Sequence, residues 1–317
     1  MRDIGRRRKE TVNQSPKGPK LGIKKYMPFY IMFLPVLIYY VVFRYIPLIY
    51  SLIISLVKYQ PAKGILGSKF VGLEYYLQFI KSTFFVRLIR NTLAINFLQL
   101  TLGFVAPIIL ALLLNEVGRA KFKKMVQTVT YLPNFISSVV VVSMVVTFLS
   151  PSTGLINNIL QAFGLEKVNF LTEPGYFWMI FTLMTMWQTT GYTAIIYLAS
   201  LTGINSELYE AARIDGAGRW KQLWYVTLPG ISSTIVLMFL MKVGRVLDVG
   251  YDTIVLMYNP SIYSTSDVIG TYVYRRGILN GEYSFGSAVG FFQSIIGLAL
   301  VILANKMAKK YSETSLW

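Results

Sequence analysis

The sequence predicts an all-α, polytopic membrane protein with six transmembrane helices. Of its 317 residues, 54% are hydrophobic and only 14% are charged, against about 25% charged residues in ordinary soluble domains. A helix that crosses a hydrocarbon core of ~30 Å needs about 20 mostly apolar residues. Six stretches of the chain meet that requirement: Met27–Pro47, Asn91–Leu114, Thr128–Ser150, Phe177–Leu201, Ile231–Asp252 and Phe285–Ala304.

Lys and Arg are unevenly divided between the loops, which predicts the orientation of the chain. Cytoplasmic loops of membrane proteins carry an excess of these residues. Of the 31 basic residues, 19 lie in the segments that an inside amino terminus places in the cytosol: 1–26, 115–127, 202–230 and 305–317. Nine lie in the external segments 48–90, 151–176 and 253–284, six of them in the first. We therefore expect cytosolic tails at 1–26 and 305–317 around a six-helix domain at 27–304.

The composition excludes several kinds of chemistry. The chain has no cysteine and no histidine, which removes disulfides, thiolate sites and the commonest metal ligand. A net charge of +17 would suit a nucleic-acid-binding protein, but the cytosolic preference of Lys and Arg accounts for it better. We expect no catalytic residue, no metal and no bound cofactor in this chain, and no nucleic-acid partner.

The cytosolic segment before the fifth span predicts two short helices joined by a turn. Asn205 or Ser206 can cap the first helix, and Glu207 favours its positive end. That helix should stop around Ile214. Gly216 follows as part of an Asp-Gly turn signal, because glycine adopts a positive φ at little cost.

The second short helix is expected from Ala217 to about Val226. Asp215 can accept hydrogen bonds from the free amides that open it, and Pro229 biases Leu228 away from helix, which should separate the loop from the fifth span. Three residues of the helix share one face by their i, i+3, i+4 spacing: Trp220, Leu223 and Trp224.

The junction of these two helices predicts a docking surface. Ala211, Ala212 and Ala217 present little side-chain bulk, so another backbone can approach closely. Glu210 and Asp215 place negative charge beside these small residues. The alternative is an amphipathic hairpin that packs only against its own helix bundle.

The same residues resemble a known motif. The motif consists of Glu210-Ala211-Ala212, then Gly216 after three intervening residues, and the closing Leu228-Pro229. It is similar to the "EAA" loop of permease subunits in binding-protein-dependent ABC importers, which have the MetI-like fold. The fuller pattern from Tyr209 to Trp220 resembles the carbohydrate branch. Two other segments are similar to the subgroup that imports complex oligosaccharides of the pectin/rhamnogalacturonan or alginate type: Asn259–Tyr263 and Thr271–Arg275.

The resemblance implies a set of partners and a mechanism. The chain would pair with a homologous second permease subunit in a bacterial plasma membrane, and each coupling loop would sit in a cleft of one of two ATPase subunits. An extracytoplasmic sugar-binding lipoprotein would deliver the oligosaccharide. ATP and Mg²⁺ would be used by the ATPase, since this chain lacks the Gly-x-x-x-x-Gly-Lys-Ser/Thr phosphate loop.

The fifth predicted span carries charges that are costly in a membrane. Lys242, Arg245, Asp248 and Asp252 fall within about 120° of arc on a helix, and charged groups inside spans face protein or water. Lys242, Arg245 and Asp248 are candidates for lining the substrate path. A pair of Arg245 with Asp248 that only locks helices together is the alternative.

Two other spans carry candidate path residues. Sugar sites combine flat rings with hydrogen-bonding groups, and the fourth span offers both in Trp187, Gln188 and Tyr192. Asn96 and Gln99 in the second span are similar candidates. The alternative role for each is to hold neighbouring helices together by hydrogen bonds.

Two rival classes of function remain open at this point. A secondary transporter or channel for polar solutes predicts inverted repeats and has no need of the cytosolic docking loop. A membrane-embedded enzyme requires carboxylates that converge at the interface, whereas the acids of this sequence are scattered.

Overall fold

The computed structural model describes residues 23–311, so the expected tails at 1–26 and 305–317 fall partly outside the described residues. These residues form two units, the first ending at Ser51 and the second beginning at Leu52. The first unit is helical, with α1 at Ile23–Tyr40, a π-helical turn at Val41–Tyr45 and the start of α2 at Ile46–Leu56.

The second unit is built mainly from helices. Its elements after α2, in chain order, are the strands β1 (Val57–Gln60) and β2 (Gly64–Phe70) and the helices α3 (Glu74–Ile80), α4 (Phe85–Glu116), α5 (Ala120–Tyr131), α6 (Ser138–Leu149), α7 (Leu155–Ala162), α8 (Phe177–Thr202), α9 (Ser206–Ile214), α10 (Arg219–Gln222), α11 (Leu228–Gly230), α12 (Ser232–Val243), α13 (Tyr251–Met257), α14 (Tyr263–Ser266), α15 (Ile269–Val273) and α16 (Tyr283–Tyr311).

Three helices of the described part are long and apolar enough to cross a membrane: Tyr26–Leu56, Phe85–Glu116 and Tyr283–Lys310. Two bent pairs raise the number to five if each pair is one span: Ala120–Phe135 with Ser138–Leu149, bent by 100°, and Arg219–Gly230 with Ser232–Val243, bent by 59°. Helix α8 has 26 residues, which at 1.5 Å per residue is about 39 Å, but its Thr and Gln residues make it less apolar. Six spans therefore stay a prediction.

A small antiparallel hairpin follows α2, so the expectation of an all-α chain is wrong in this detail. Val57 in β1 pairs with Phe70 in β2, and the pairing ends at Gln60 and Gly64. Gly64 has a φ of 63°, which closes the turn without strain because glycine has no Cβ. Strands this short, with glycine and lysine in them, give little signal in a sequence.

The fifth predicted span, Ile231–Asp252, is wrong in its second half. Helix α12 ends at Val243, and residues 244–247 form turns. Gly250 is left-handed, with a φ of 71°, before α13 begins. Arg245, Asp248 and Asp252 therefore do not continue the helix that carries Lys242, and the predicted stripe of four charges along one helix does not form.

Helix α12 ends at a close crossing with α16. A Cβ placed on Gly297 of α16 would lie 2.9 Å from the carbonyl oxygen of Gly244, and one placed on Gly244 would lie 2.8 Å from the Val301 side chain. Such a crossing depends on a contact between segments about fifty residues apart, and no local pattern predicts it.

Three buried clusters hold the second unit together, and α4 and α8 form its most extensive helix pair. One cluster centres on Phe181 and Ile254, another on Phe79 and Phe285, and the third on Tyr197. In lipid, close packing and interhelical hydrogen bonds take the place of the hydrophobic effect between helices. The clusters therefore fix the positions of the polar residues described next.

Candidate transport pathway and coupling loop

The first helix of the two-helix loop at 202–230 has the predicted bounds. Helix α9 runs from Ser206 to Ile214, and Asn205 caps it by accepting a hydrogen bond of 3.0 Å from the Glu207 N–H. Glu207 lies in the first turn and Arg213 in the last, the arrangement that the helix dipole favours.

A glycine turn ends this helix in a Schellman motif. Gly216 is left-handed, with a φ of 76°. The N–H of Ala217 donates to the carbonyl oxygen of Ala212 at 2.8 Å, and that of Gly216 donates to Arg213 at 3.0 Å. These two bonds satisfy the last free carbonyl groups of the helix, so the Asp-Gly turn holds the two helices at a fixed angle.

The second helix differs from the prediction at both ends. It begins at Arg219 with Gly218 as its cap, so Asp215 does not cap it. Pro229 lies inside the helical run, with Leu228 at φ −64°. A π-helical turn at Leu223–Thr227 precedes the proline. In this wider turn the carbonyl group four residues before the proline is displaced, so it does not clash with the proline ring. The chain bends after Gly230 instead.

Hydrogen bonds tie the second loop helix to the first and to the turn between them. The hydroxyl groups of Tyr209 and Thr227 are 3.0 Å apart, and the Gln222 side chain donates to the Ala217 carbonyl oxygen at 2.8 Å. The apolar face of the second helix is uncovered, since Trp220 is 76% exposed. This exposure is at odds with a hairpin that packs only against its own bundle.

Charged and small residues complete the exposed side of the loop. Glu210, Ala211 and Asp215 are exposed, and Ala212 and Ala217 are half-buried. A side chain added at Gly216 would meet nothing within 4 Å. The loop therefore presents an open surface on a rigid support.

A polar cavity of about 320 Å³ lies between α4, α8 and the end of α12. It brings together five of the eight predicted path residues: Asn96, Gln99, Lys242, Arg245 and Asp248. The Lys242 Nζ donates a hydrogen bond of 3.0 Å to the Gln99 carbonyl oxygen. Two cations and one carboxylate thus line a cavity that also has amide groups.

Arg245 and Asp248 do not form the ion pair considered as their alternative role. Among the described residues the ion pairs are Arg87–Asp267, Arg275–Asp267 and Arg276–Glu282. The Asp248 carboxylate instead accepts a hydrogen bond of 3.2 Å from the Gly250 N–H, and the Arg245 side chain is exposed. Both charges are left available to the cavity.

The other three predicted path residues lie elsewhere. Gln188 donates to the Ile136 carbonyl oxygen at 3.0 Å, so it links α8 to the segment before α6. Trp187 is half-exposed and lines a second, more apolar cavity of about 430 Å³. Tyr192 packs edge-on against Phe135, with ring centroids 6.2 Å apart.

Tyr197 lines the polar cavity but was not among the predicted residues. It is fully buried, and its hydroxyl group has no hydrogen-bond partner among the described residues. Thr193 and Tyr197 both line the cavity, and their i, i+4 spacing on one helix is the signal that could have revealed them.

A buried carboxylate binds side chains at the amino-terminal end of α4 and in the segment around α15. The sequence analysis assigned it no role. Asp267 is fully buried and pairs with Arg87 at 3.0 Å and Arg275 at 2.9 Å. Burial by itself lowers the pKa of Arg275, but its hydrogen bond and charge interaction with Asp267 raise that pKa above its ordinary value. Thr271 also donates to Asp267, at 2.8 Å, so two arginines and a hydroxyl group surround one buried carboxylate.

Comparison with known proteins identifies the chain. Residues 103–311 match the family described as binding-protein-dependent transport system inner membrane component. The chain is 44% identical over 299 residues to the polygalacturonan/rhamnogalacturonan transport system permease protein YteP of Bacillus subtilis (strain 168), covering 94% of this chain and 92% of that protein.

Two solved structures have the same fold. One is a bacterial alginate ABC transporter in complex with an alginate pentasaccharide-bound periplasmic protein, with a TM-score of 0.85, 39% identity, and 93% of this chain and 98% of that chain covered. The other is a bacterial ABC transporter involved in the import of the acidic polysaccharide alginate, with a TM-score of 0.83, 40% identity, and 91% and 97% covered. The chain therefore belongs to the inner membrane components of binding-protein-dependent transport systems, as a multi-pass permease subunit of an ABC importer.

Proposed function

We propose that this permease moves acidic oligosaccharides from an extracytoplasmic binding protein to the cytosol. The observation that carries the proposal is the polar cavity, where Lys242 and Arg245 have no ion-pair partner among the described residues. Cations that are costly inside a membrane protein are retained where they meet an anion. Uronate carboxylates supply that anion, while Asn96 and Gln99 suit sugar hydroxyl groups.

The names of the similar proteins support this choice of substrate. They refer to polygalacturonan/rhamnogalacturonan and to the acidic polysaccharide alginate. A neutral oligosaccharide would leave both cations of the cavity without an anionic partner. The carboxylate of Asp248 would repel a uronate placed beside it, so we expect the acidic groups to lie on the side of Lys242 and Arg245.

The cytosolic loop transmits movement from a separate ATPase. Its rigid turn at Gly216 and exposed Trp220 suit a docking element that binds in a cleft of the partner ATPase. In this arrangement a second permease, two ATPase subunits that use ATP and Mg²⁺, and a sugar-binding lipoprotein complete the importer. A secondary transporter has no ATPase subunit for such a docking element to bind.

The proposed topology has six spans with both ends of the chain in the cytosol. Helix α8 is the fourth span in chain order, and each bent pair contributes one span, with Arg219–Gly230 of the second pair left in the loop. This places the loop at 202–230 in the cytosol and the segments 48–90 and 253–284 outside. The distribution of Lys and Arg supports that orientation.

Uptake by the reconstituted importer tests the proposal. The chain, its partner permease and the ATPase would be placed in liposomes with ATP inside and the binding protein outside. We expect ATP-dependent accumulation of labelled trigalacturonate. Equal accumulation without ATP would exclude the importer mechanism, and equal uptake of a neutral trisaccharide of the same length would exclude selectivity for acidic sugars.

A further inference from the structure

The external segment 48–90 holds six basic residues, more than expected outside the cytosol. Two of them have partners in the chain, since Arg87 pairs with Asp267 and Arg90 donates to the Ser264 carbonyl oxygen. The others have no ion pair with any residue that the structure describes: Lys58, Lys63, Lys69 and Lys81.

Three of these four lysines lie on the hairpin. Lys58 of β1 and Lys69 of β2 are directly opposite each other in the antiparallel pairing. Side chains of facing residues lie on the same side of a sheet, with Cβ atoms about 4.5–5.5 Å apart, and like charges in such a pair are destabilising. Lys63 in the turn adds a third charge, and all three side chains are exposed. The fold therefore keeps an unneutralised cluster of positive charge.

The other face of the hairpin is fixed to α16. The Ser284 hydroxyl donates to the Val57 carbonyl oxygen at 2.6 Å and accepts from the Tyr59 N–H at 2.9 Å. The rings of Tyr59 and Tyr283 pack edge-on, with centroids 6.2 Å apart. Because side chains alternate along a strand, these contacts leave Lys58 pointing away from α16. The lysines are thus presented to the outside on a rigid support.

We propose that Lys58, Lys63 and Lys69, here called the lysine face, form a docking surface for an acidic patch of the extracytoplasmic binding protein. This inference rests on the proposed function for its external orientation. An acidic surface would neutralise the two facing lysines and so remove their repulsion. Leu66 is also fully exposed in the same hairpin, so the hairpin offers an apolar contact as well as charges, and protein interfaces combine these two features.

Other occupants fit the lysine face less well. Sugar sites are concave, whereas this face is fully exposed and its lysines line neither the 320 Å³ nor the 430 Å³ cavity. Lysines on exposed strand edges also prevent pairing between sheets, but that role does not require two of them to face each other. Anionic lipid headgroups share the chemistry of an acidic protein surface, so the test must separate the two.

Stimulation of ATP hydrolysis by the binding protein provides the test. The complete importer with Lys58→Glu and Lys69→Glu would be compared with wild type in nanodiscs of phosphatidylcholine alone, with trigalacturonate-loaded binding protein titrated in. We expect the half-maximal concentration to rise about tenfold at low salt, with a smaller difference at about 0.5 M salt, because the interaction is electrostatic. Lys81→Glu with Lys167→Glu makes the same change of charge at two exposed lysines outside the hairpin and serves as the matched control.

Each outcome decides the matter. An equal rise with Lys81→Glu and Lys167→Glu would mean that only the net charge of the outer side acts. An unchanged half-maximal concentration in the double variant would overturn the lysine face while leaving the importer intact. A rise seen only in nanodiscs with phosphatidylglycerol would assign the lysines to lipid. If the wild-type importer is not stimulated by any loaded binding protein, the proposed function fails instead.

Discussion

The ammonium group of Lys242 donates a hydrogen bond of 3.0 Å to the main-chain carbonyl oxygen of Gln99, 143 residues earlier in the chain. This bond joins the end of α12 to the middle of α4. An ammonium group has three donors, so two remain for other acceptors in the cavity that both residues line. Lys242 can therefore hold the cavity together and bind an anion at the same time.

Replacing Lys242 by Met should weaken transport of acidic oligosaccharides. A hydrogen bond to a charged group contributes about 1.5–3 kcal/mol, so we expect the KM for trigalacturonate to rise about 10- to 100-fold. Lys242→Arg keeps the charge and should retain more affinity than Lys242→Met. Lys167→Met, which removes an exposed lysine away from the cavity, is the control. An unchanged KM in Lys242→Met would show that Lys242 does not bind the substrate and has only a structural role.

Replacing Tyr197 by Phe separates packing from binding. The Tyr197 hydroxyl group has no partner among the described residues, so its removal should leave the thermal unfolding temperature unchanged or slightly higher. If a sugar hydroxyl supplies the missing partner, affinity should fall about 3- to 10-fold, the equivalent of one hydrogen bond. Tyr30→Phe, at a half-exposed position of α1, controls for loss of a tyrosine hydroxyl. Lower thermal stability with unchanged affinity would contradict the prediction.

The amount of structure that the sequence revealed depends on how local each signal is. Helix α9 has the predicted bounds because Asn205 and Gly216 act on their immediate neighbours. The end of α12 was not predicted, and it lies at a close crossing of Gly244 with Gly297, a contact that no local pattern indicates. The charges of the polar cavity were still found, since their cost in a membrane does not depend on the helix that carries them.

Long-range partners limited the prediction of the site in the same way. Asp267 and Arg87 are 180 residues apart, and neither residue alone indicates that the other is its partner. Gln188 looked like a sugar ligand by type, but its amide donates to Ile136, 52 residues earlier. Residue type predicts which chemistry is available, whereas tertiary packing decides whether a side chain is free to use it.

Bulk at Gly216 should uncouple transport from ATP hydrolysis. A Trp side chain at this exposed turn would block the approach of a partner subunit, so Gly216→Trp should abolish uptake while the protein stays in the membrane. Gly164→Trp is a matched control, because Gly164 has the same φ of 76° and also has nothing within 4 Å of an added Cβ. Both variants suffer the same backbone strain, of about 1–2 kcal/mol. Loss of uptake in both would point to misfolding rather than to coupling.

Charge at Glu210 offers a second test of the same surface. Glu210 is exposed and takes part in none of the ion pairs of the described residues, so Glu210→Lys should change thermal stability little. We expect it to abolish uptake by placing a repulsive charge against the ATPase. Membrane level and unfolding temperature would be measured beside transport. Wild-type uptake in this variant would refute the role of the loop.

A contact between Gly191 and Thr130 predicts opposite effects for two glycine substitutions. A Cβ at Gly191 would lie 2.0 Å from the Thr130 carbonyl oxygen, so α5 and α8 can cross there only without a side chain. Gly191→Ala must push the helices apart, and we expect a loss of about 1–3 kcal/mol of stability. At Gly290 in α16 an added Cβ meets nothing within 4 Å, so Gly290→Ala should keep or raise stability by reducing the freedom of the unfolded chain. The stability of both variants is measured by thermal unfolding of the purified importer. Equal unfolding temperatures would mean that α5 and α8 can move apart without any loss of stability.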